Sequence, residues 1–252
     1  MDKITSRDLK NGKIANVEEG IQKKKDVMSR IFTATKLSDA RSADLIIEAI
    51  VEKERIKLDF YSQLGPLVQP GAIFASNTSS LAITPMAIAS GRPSQFVGLH
   101  FFNPVQIMKL VEVIRTVHTN DEVFDRMTEF TKSIGKVPVS CKDTPGFIVN
   151  RLLVPYLAQA LKMLDRGDAS IKDIDTSMQL GAGHPMGPIQ LADYVGLDTT
   201  CSILSGWKEA HPDEPSFVLP RSLIEKVNSG HLGRKSGQGF YVWEGDKAVR
   251  IA

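Results

Sequence analysis

Short apolar runs punctuate the first 140 residues, at 31–34, 45–49, 72–75, 96–101, 110–114 and 137–140. Several are continuous rather than alternating. Leu45-Ile46-Ile47 is one such run, and it predicts a strand covered on both faces, as in a parallel sheet. Stretches of helical period lie among these runs, over 54–64 and 121–134. Strands and helices that alternate in this way predict an α/β sheet.

The period changes after Cys141. Phe147, Ile148, Leu152, Leu153, Tyr156, Leu157 and Leu161 recur at helical spacing. Pro145 suits the first turn of that helix, Asp143 or Thr144 would cap it, and Gly167 ends it. Further helices are predicted over 171–180, 188–195, 198–208 and 222–228. The chain thus divides into an α/β domain over 1–142 and an all-α domain over 143–252, without internal repeats.

Composition narrows the class. The 252 residues are 42% hydrophobic and 24% charged, ordinary for a globular protein with a sizeable core. A net charge of +2 with scattered Lys and Arg argues against a nucleic-acid or membrane-surface protein. Lys23-Lys24-Lys25 reads as one solvated helix face. Cys141 and Cys201 are too few for a disulfide scaffold or a zinc site and read as free thiols. None of the five histidines has metal-ligand spacing, so no metal is expected. No apolar run approaches the ~20 residues that span a bilayer. The N-terminus, with Asp2, Asp8, Glu18 and Glu19, resembles neither a signal nor a transit peptide.

Candidate chemistry begins at VGLHFFNP, where His100 ends an apolar strand-like run. Glu112 sits inside the next run, KLVEVI. If the two runs pair antiparallel about residues 105–107, positions whose numbers sum to 212 face each other, and His100 meets Glu112. A carboxylate there would fix the imidazole tautomer and make the ring a competent general base. A buried ion pair with a structural role is the competing reading, and spacing alone does not choose.

The run Ser76-Asn77-Thr78-Ser79-Ser80 follows a strand and precedes a helix, where α/β sheets bind ligands. Capping explains one of these residues, not the cluster. Asn150 lies among Ile148, Val149, Leu152 and Leu153, so its amide needs a partner, and a core hydrogen bond is the commoner one. GAGHPMG at 181–187 and GRKSGQGFY near the C-terminus read as turns, although Lys235 has the length to reach a cleft. No G-x-G-x-x-G follows any strand.

SNTSSL, GLHFFNPV, MKLVEVI, KDTPGFIVNRLL and GAGHPMGPIQLADYVGLD, in this order, resemble L-3-hydroxyacyl-CoA dehydrogenase of the monofunctional, short-chain, mitochondrial type. The likeness covers about residues 44–242. It implies a Rossmann-like NAD domain followed by a helical domain that forms a homodimer, NAD as cofactor, an acyl-CoA substrate in fatty-acid β-oxidation, and the mitochondrial matrix. It makes His100 the base, Glu112 its partner, and Ser79 and Asn150 the substrate contacts. Glu52, Lys57, Ser79, Asn103 and Lys235 would lie around NAD. The resemblance also implies that the first βαβ unit, with the pyrophosphate-binding turn, is absent, leaving the Rossmann domain N-terminally incomplete. Two alternatives stand beside the dehydrogenase: a catalytically silent dimerising homologue, and a related hydroxy-acid dehydrogenase.

Overall fold

The computed structural model describes residues 9–12 and 14–252. Asp2 and Asp8 of the N-terminal reading lie outside the described residues. Five strands form one sheet in the order β1 (Leu45–Glu48), β2 (Ile73–Ser76), β3 (Phe96–Phe101), β4 (Leu110–Arg115) and β5 (Val137–Lys142). The first three run parallel, β4 returns antiparallel to β3, and β5 runs parallel to β4. The carboxyl ends of β1, β2 and β3 therefore share one edge of the sheet.

Both faces are covered over β2, β3 and β4, but β1 leaves Ile47 exposed and β5 has no buried residue, so the two-sided cover expected of Leu45-Ile46-Ile47 is incomplete. Helices α2 (Glu54–Leu64) and α3 (Ile83–Ala89) bury Tyr61, Leu64, Ile83 and Met86 against Phe74 and Phe96. On the other face α4 (Asp121–Ser133) packs Val123 and Met127 over Val97, Leu99, Val111 and Val113. All four residues of β2 are buried, which is why its sequence does not alternate. The Tyr61 ring meets Phe96 edge-on, with centroids 4.7 Å apart, the arrangement that aromatic quadrupoles favour.

The expected strand at 31–34 does not form. The segment follows α1 (Val17–Met28) as non-regular chain, with Ile31 and Phe32 exposed. β-branched and aromatic residues suit a strand, but a strand exists only by pairing, and no described strand pairs with this one.

The second half is helical: α5 (Val149–Arg166), α6 (Ile171–Ala182), α7 (Pro188–Val195), α8 (Leu197–Ala210) and α9 (Arg221–Asn228). Leu157, Leu161, Ile189, Leu204, Trp207 and Phe217 form its core. Gly167, at φ 72°, closes α5 in the left-handed conformation. One element escaped the helical period, a hairpin of β6 (Tyr241–Glu244) and β7 (Lys247–Ile251). Gly245 supplies the positive φ, 60°, that its two-residue turn requires.

The start of α5 also differs from expectation. Gly146 and Phe147 hold φ of 74° and 55°, so the helix cannot begin at Pro145. It begins at Val149, and Asp143 caps a different helix. Its two oxygens accept from the N–H groups of Ile83 (2.9 Å) and Thr84 (2.7 Å), at the start of α3. A Cβ on Gly146 would stand 2.3 Å from the Trp207 ring, so glycine is required there on two counts.

Candidate active site

His100 lies opposite Glu112 in the β3–β4 register. Nδ1 and a Glu112 carboxylate oxygen are 2.7 Å apart, and both residues are buried. The other Glu112 oxygen accepts from the N–H groups of Ile148 (3.0 Å) and Val149 (2.8 Å), the open amino end of α5. Burial works to raise the Glu112 pKa, but the His100 hydrogen bond and these amides hold it below the ordinary carboxylate value. An ionised Glu112 accepts from Nδ1–H and leaves Nε2 as the ring's free lone pair. Phe102 and Phe147 flank the imidazole, with centroids at 4.4 and 5.7 Å. Nε2 has no protein partner among the described residues.

The serine-rich loop after β2 is fixed from several sides. Asn77 Oδ1 accepts from Phe101 N–H (2.8 Å), which ties the loop to the residue after His100. Asn150 Nδ2 donates to the Ser79 carbonyl at 2.9 Å, so the first turn of α5 holds the loop as well. Asn150 is half-buried and its amide finds a partner on the exposed Ser79 rather than in the core, while its Oδ1 has no partner among the described residues. A single Glu52 oxygen accepts from the Thr78 hydroxyl and from Ser79 N–H (3.1 Å). Burial works against that carboxylate, but the Thr78 hydroxyl, Lys57 and Ser79 N–H hold its pKa below the ordinary value. Ser79 itself is exposed.

His100, Glu112, Ser79 and Asn150 thus come together where β2, β3, β4 and α5 meet. Glu52 joins them through the loop. Lys57 has no exposed surface and lies beneath Glu52, so it reaches a ligand only through that carboxylate. Asn103 is exposed beyond β3, at a cis bond to Pro104. Lys235 lies on a 3-10 turn in an ion pair with Asp198 of α8, a residue that lines the same cleft as Glu52 and Ser79.

A cleft of about 960 Å³ runs between the loop and α8, lined by Ser79, Leu81, Thr144, Ser202, Gly206 and Trp207 among others. Sequence reasoning missed the α8 wall, because nothing local in that helix marks it. It also missed Glu48, although a carboxylate in the apolar run LIIEAIV gives the same signal as Glu112 in KLVEVI. Among the described residues no cluster of His, Cys, Asp and Glu could hold a metal. The unpaired Ser79 hydroxyl, the exposed Asn103 amide and the Glu52 carboxylate fit the amide and hydroxyls of a nicotinamide nucleoside.

Fold and site together define an α/β sheet protein with a helical second half and a buried histidine–carboxylate pair at the carboxyl edge of its sheet. Residues 2–144 match the family model described as 3-hydroxyacyl-CoA dehydrogenase, NAD binding domain, and residues 146–243 match the C-terminal domain of the same enzyme. The chain is 53% identical over 218 residues to the hydroxyacyl-coenzyme A dehydrogenase, mitochondrial, of Rattus norvegicus, covering 86% of this chain and 69% of the relative. The Homo sapiens protein of the same name is 50% identical over 91% of this chain and 73% of its own length. A crystal structure of (S)-3-hydroxybutyryl-CoA dehydrogenase from Ralstonia eutropha superposes with a TM-score of 0.87 at 37% identity, covering 95% of this chain and 82% of that one. This chain belongs to the 3-hydroxyacyl-CoA dehydrogenase family.

Proposed function

We propose that this chain oxidises L-3-hydroxyacyl-CoA to 3-ketoacyl-CoA with NAD, and that His100 is the general base. The observation that carries this reading is the His100–Glu112 pair. An ionised carboxylate on Nδ1–H leaves Nε2 to take the proton of the substrate's 3-hydroxyl. Once bound, NAD supplies the acceptor for the hydride that leaves C3. Ser79 Oγ and Asn150 Oδ1 would hydrogen-bond the substrate's oxygens and hold C3 in reacting position. Glu52, Ser79 and Asn103 would contact the nicotinamide end of the cofactor, with Lys57 acting through Glu52. Lys235 would contact the cofactor from its ion pair with Asp198 on the cleft wall, using one of its remaining N–H donors.

We also propose that the helical domain, taken from residue 143, forms a homodimer. Leu152 on α5 is 70% exposed and Leu180 on α6 is 84% exposed, and exposed apolar side chains of this size mark association surfaces when they cluster. Among the described residues no helix is long and apolar enough to cross a membrane. Relatives named mitochondrial support placement in the mitochondrion, and within it we propose the matrix.

A substrate panel tests the activity. L-3-Hydroxyacyl-CoA esters of several lengths and the matching free hydroxy acids are each offered with NAD, and NADH absorbance is followed. Turnover of the thioesters alone supports the proposal. Turnover of the free acids alone would place the chain among hydroxy-acid dehydrogenases, and no NADH from either would favour the silent homologue.

A further inference from the structure

Glu48 ends β1 with its side chain fully buried, and its carboxylate is surrounded by donors. One oxygen accepts from Ile50 N–H (2.7 Å), the other from the Ser76 hydroxyl (2.6 Å) and the Tyr61 hydroxyl (3.3 Å). Lys57, on α2 and without exposed surface, reaches both oxygens, at 2.9 and 3.2 Å. The same ammonium lies 2.9 Å from Glu52, whose other oxygen holds Thr78 and Ser79. Two carboxylates and one ammonium form a continuous chain from the sheet to the serine loop.

Such a chain is a costly way to fill a core. Ions taken out of water lose several kcal/mol of hydration each, and apolar residues of similar volume often serve as well or better. With three ionised groups the cluster also keeps one uncompensated negative charge. Its geometry has a different use. Glu52 is 38% exposed and has room to move, whereas Glu48 is sealed in the sheet. Lys57 anchored on Glu48 stands at a fixed point, and Glu52 is fixed by Lys57.

We infer that Glu48 is a positioning residue for the Ser79 loop, acting through Lys57 and Glu52. Without the Glu48 charge, Lys57 keeps a single anionic partner and draws Glu52 inward, away from Ser79 N–H. The consequence for turnover rests on the proposal that Ser79 contacts the substrate; the consequence for loop structure does not.

Two measurements on the full chain separate these parts. In Glu48→Gln, amide hydrogen exchange of the 77–84 segment should speed up at least ten-fold, while α4 and α5 keep their protection. Unchanged exchange in that segment overturns the inference. The second measurement is a double-mutant cycle on kcat. Glu48→Gln should lower kcat by about 10–100-fold, as expected when a reacting group shifts by about 1 Å, with a smaller change in KM. In a Ser79→Ala background the same substitution should lower kcat no further. Full multiplication of the two effects makes Glu48 merely structural and overturns the inference. If Ser79→Ala alone leaves kcat unchanged, the role given to Ser79 fails and the catalytic half of the inference falls with it. Should Glu48→Gln not fold, Glu48→Asp, which keeps the charge but shortens its reach to Lys57, should speed exchange in the same segment, and unchanged exchange there overturns the inference.

Discussion

Glu112 answers three donors at once: the His100 ring and two amides at the start of α5. The same carboxylate thus sets the imidazole tautomer and seats the helix that carries Asn150. In Glu112→Gln an amide can turn its NH₂ toward Nδ1 and leave the proton on Nε2, where it blocks base chemistry. Turnover should then fall by about 10²-fold or more, the scale seen when a catalytic imidazole is held in the wrong tautomer; steady-state NADH formation gives the number. The pH dependence of stability follows from the sign of the shift. The folded pKa of Glu112 is depressed, so its contribution is complete above the ordinary carboxylate range and is lost as the pH falls through the depressed value. The thermal midpoint should drop with acid more steeply in the parent chain than in Glu112→Gln. Parallel curves would show that Glu112 contributes no linkage.

Helices in this chain are often capped from elsewhere. The residues preceding α3, α5, α7 and α9 are Ala82, Ile148, Gly187 and Pro220, and none offers a side-chain acceptor. Their open N–H groups are met instead by Asp143, Glu112, Asp175 and Asp165. Gly187 fits this arrangement because a Cβ there would stand 2.3 Å from Asp175. Each carboxylate adds a favourable charge at a helix N-terminus and ties two elements together. Asp143→Ala should lower stability by about 1–2 kcal/mol, the cost of losing a cap, and loosen the serine loop ahead of α3; urea unfolding gives the first and hydrogen exchange the second. A loss no larger than that of an exposed control such as Asp246→Ala would deny it this role. These long-range caps also explain what the sequence made legible. The register of His100 with Glu112 was open to arithmetic, because an antiparallel turn fixes a constant sum. Boundaries of α2 and β3 followed from local apolar period. The capping role of Asp143 was not legible, since a local cap and a remote one look alike in sequence. Glu48 was visible as a carboxylate in an apolar run, but its partner Lys57 becomes its neighbour only once β1 and α2 pack.

At the scale of the whole molecule, the sheet brings Glu52, Ser79 and His100 to one edge because β1, β2 and β3 are parallel. The helical domain then delivers Asn150 to that edge and closes the cleft with α8. The proposed reaction and the proposed association use different faces of α5, with Asn150 turned to the loop and Leu152 to solvent. Sedimentation at micromolar concentration should show a dimer, and Leu152→Asp with Leu180→Asp should shift it toward monomer. A parent chain that sediments as a monomer would refute the association proposal. If the buried pair on β3 and β4 performs the proton transfer, His100→Ala must slow the reaction without unfolding the chain. Turnover of this variant with an L-3-hydroxyacyl-CoA and NAD, beside a thermal melt that confirms folding, should fall by about 10²–10⁴-fold, the span for a lost general base; a folded variant with parental turnover would remove His100 from the reaction.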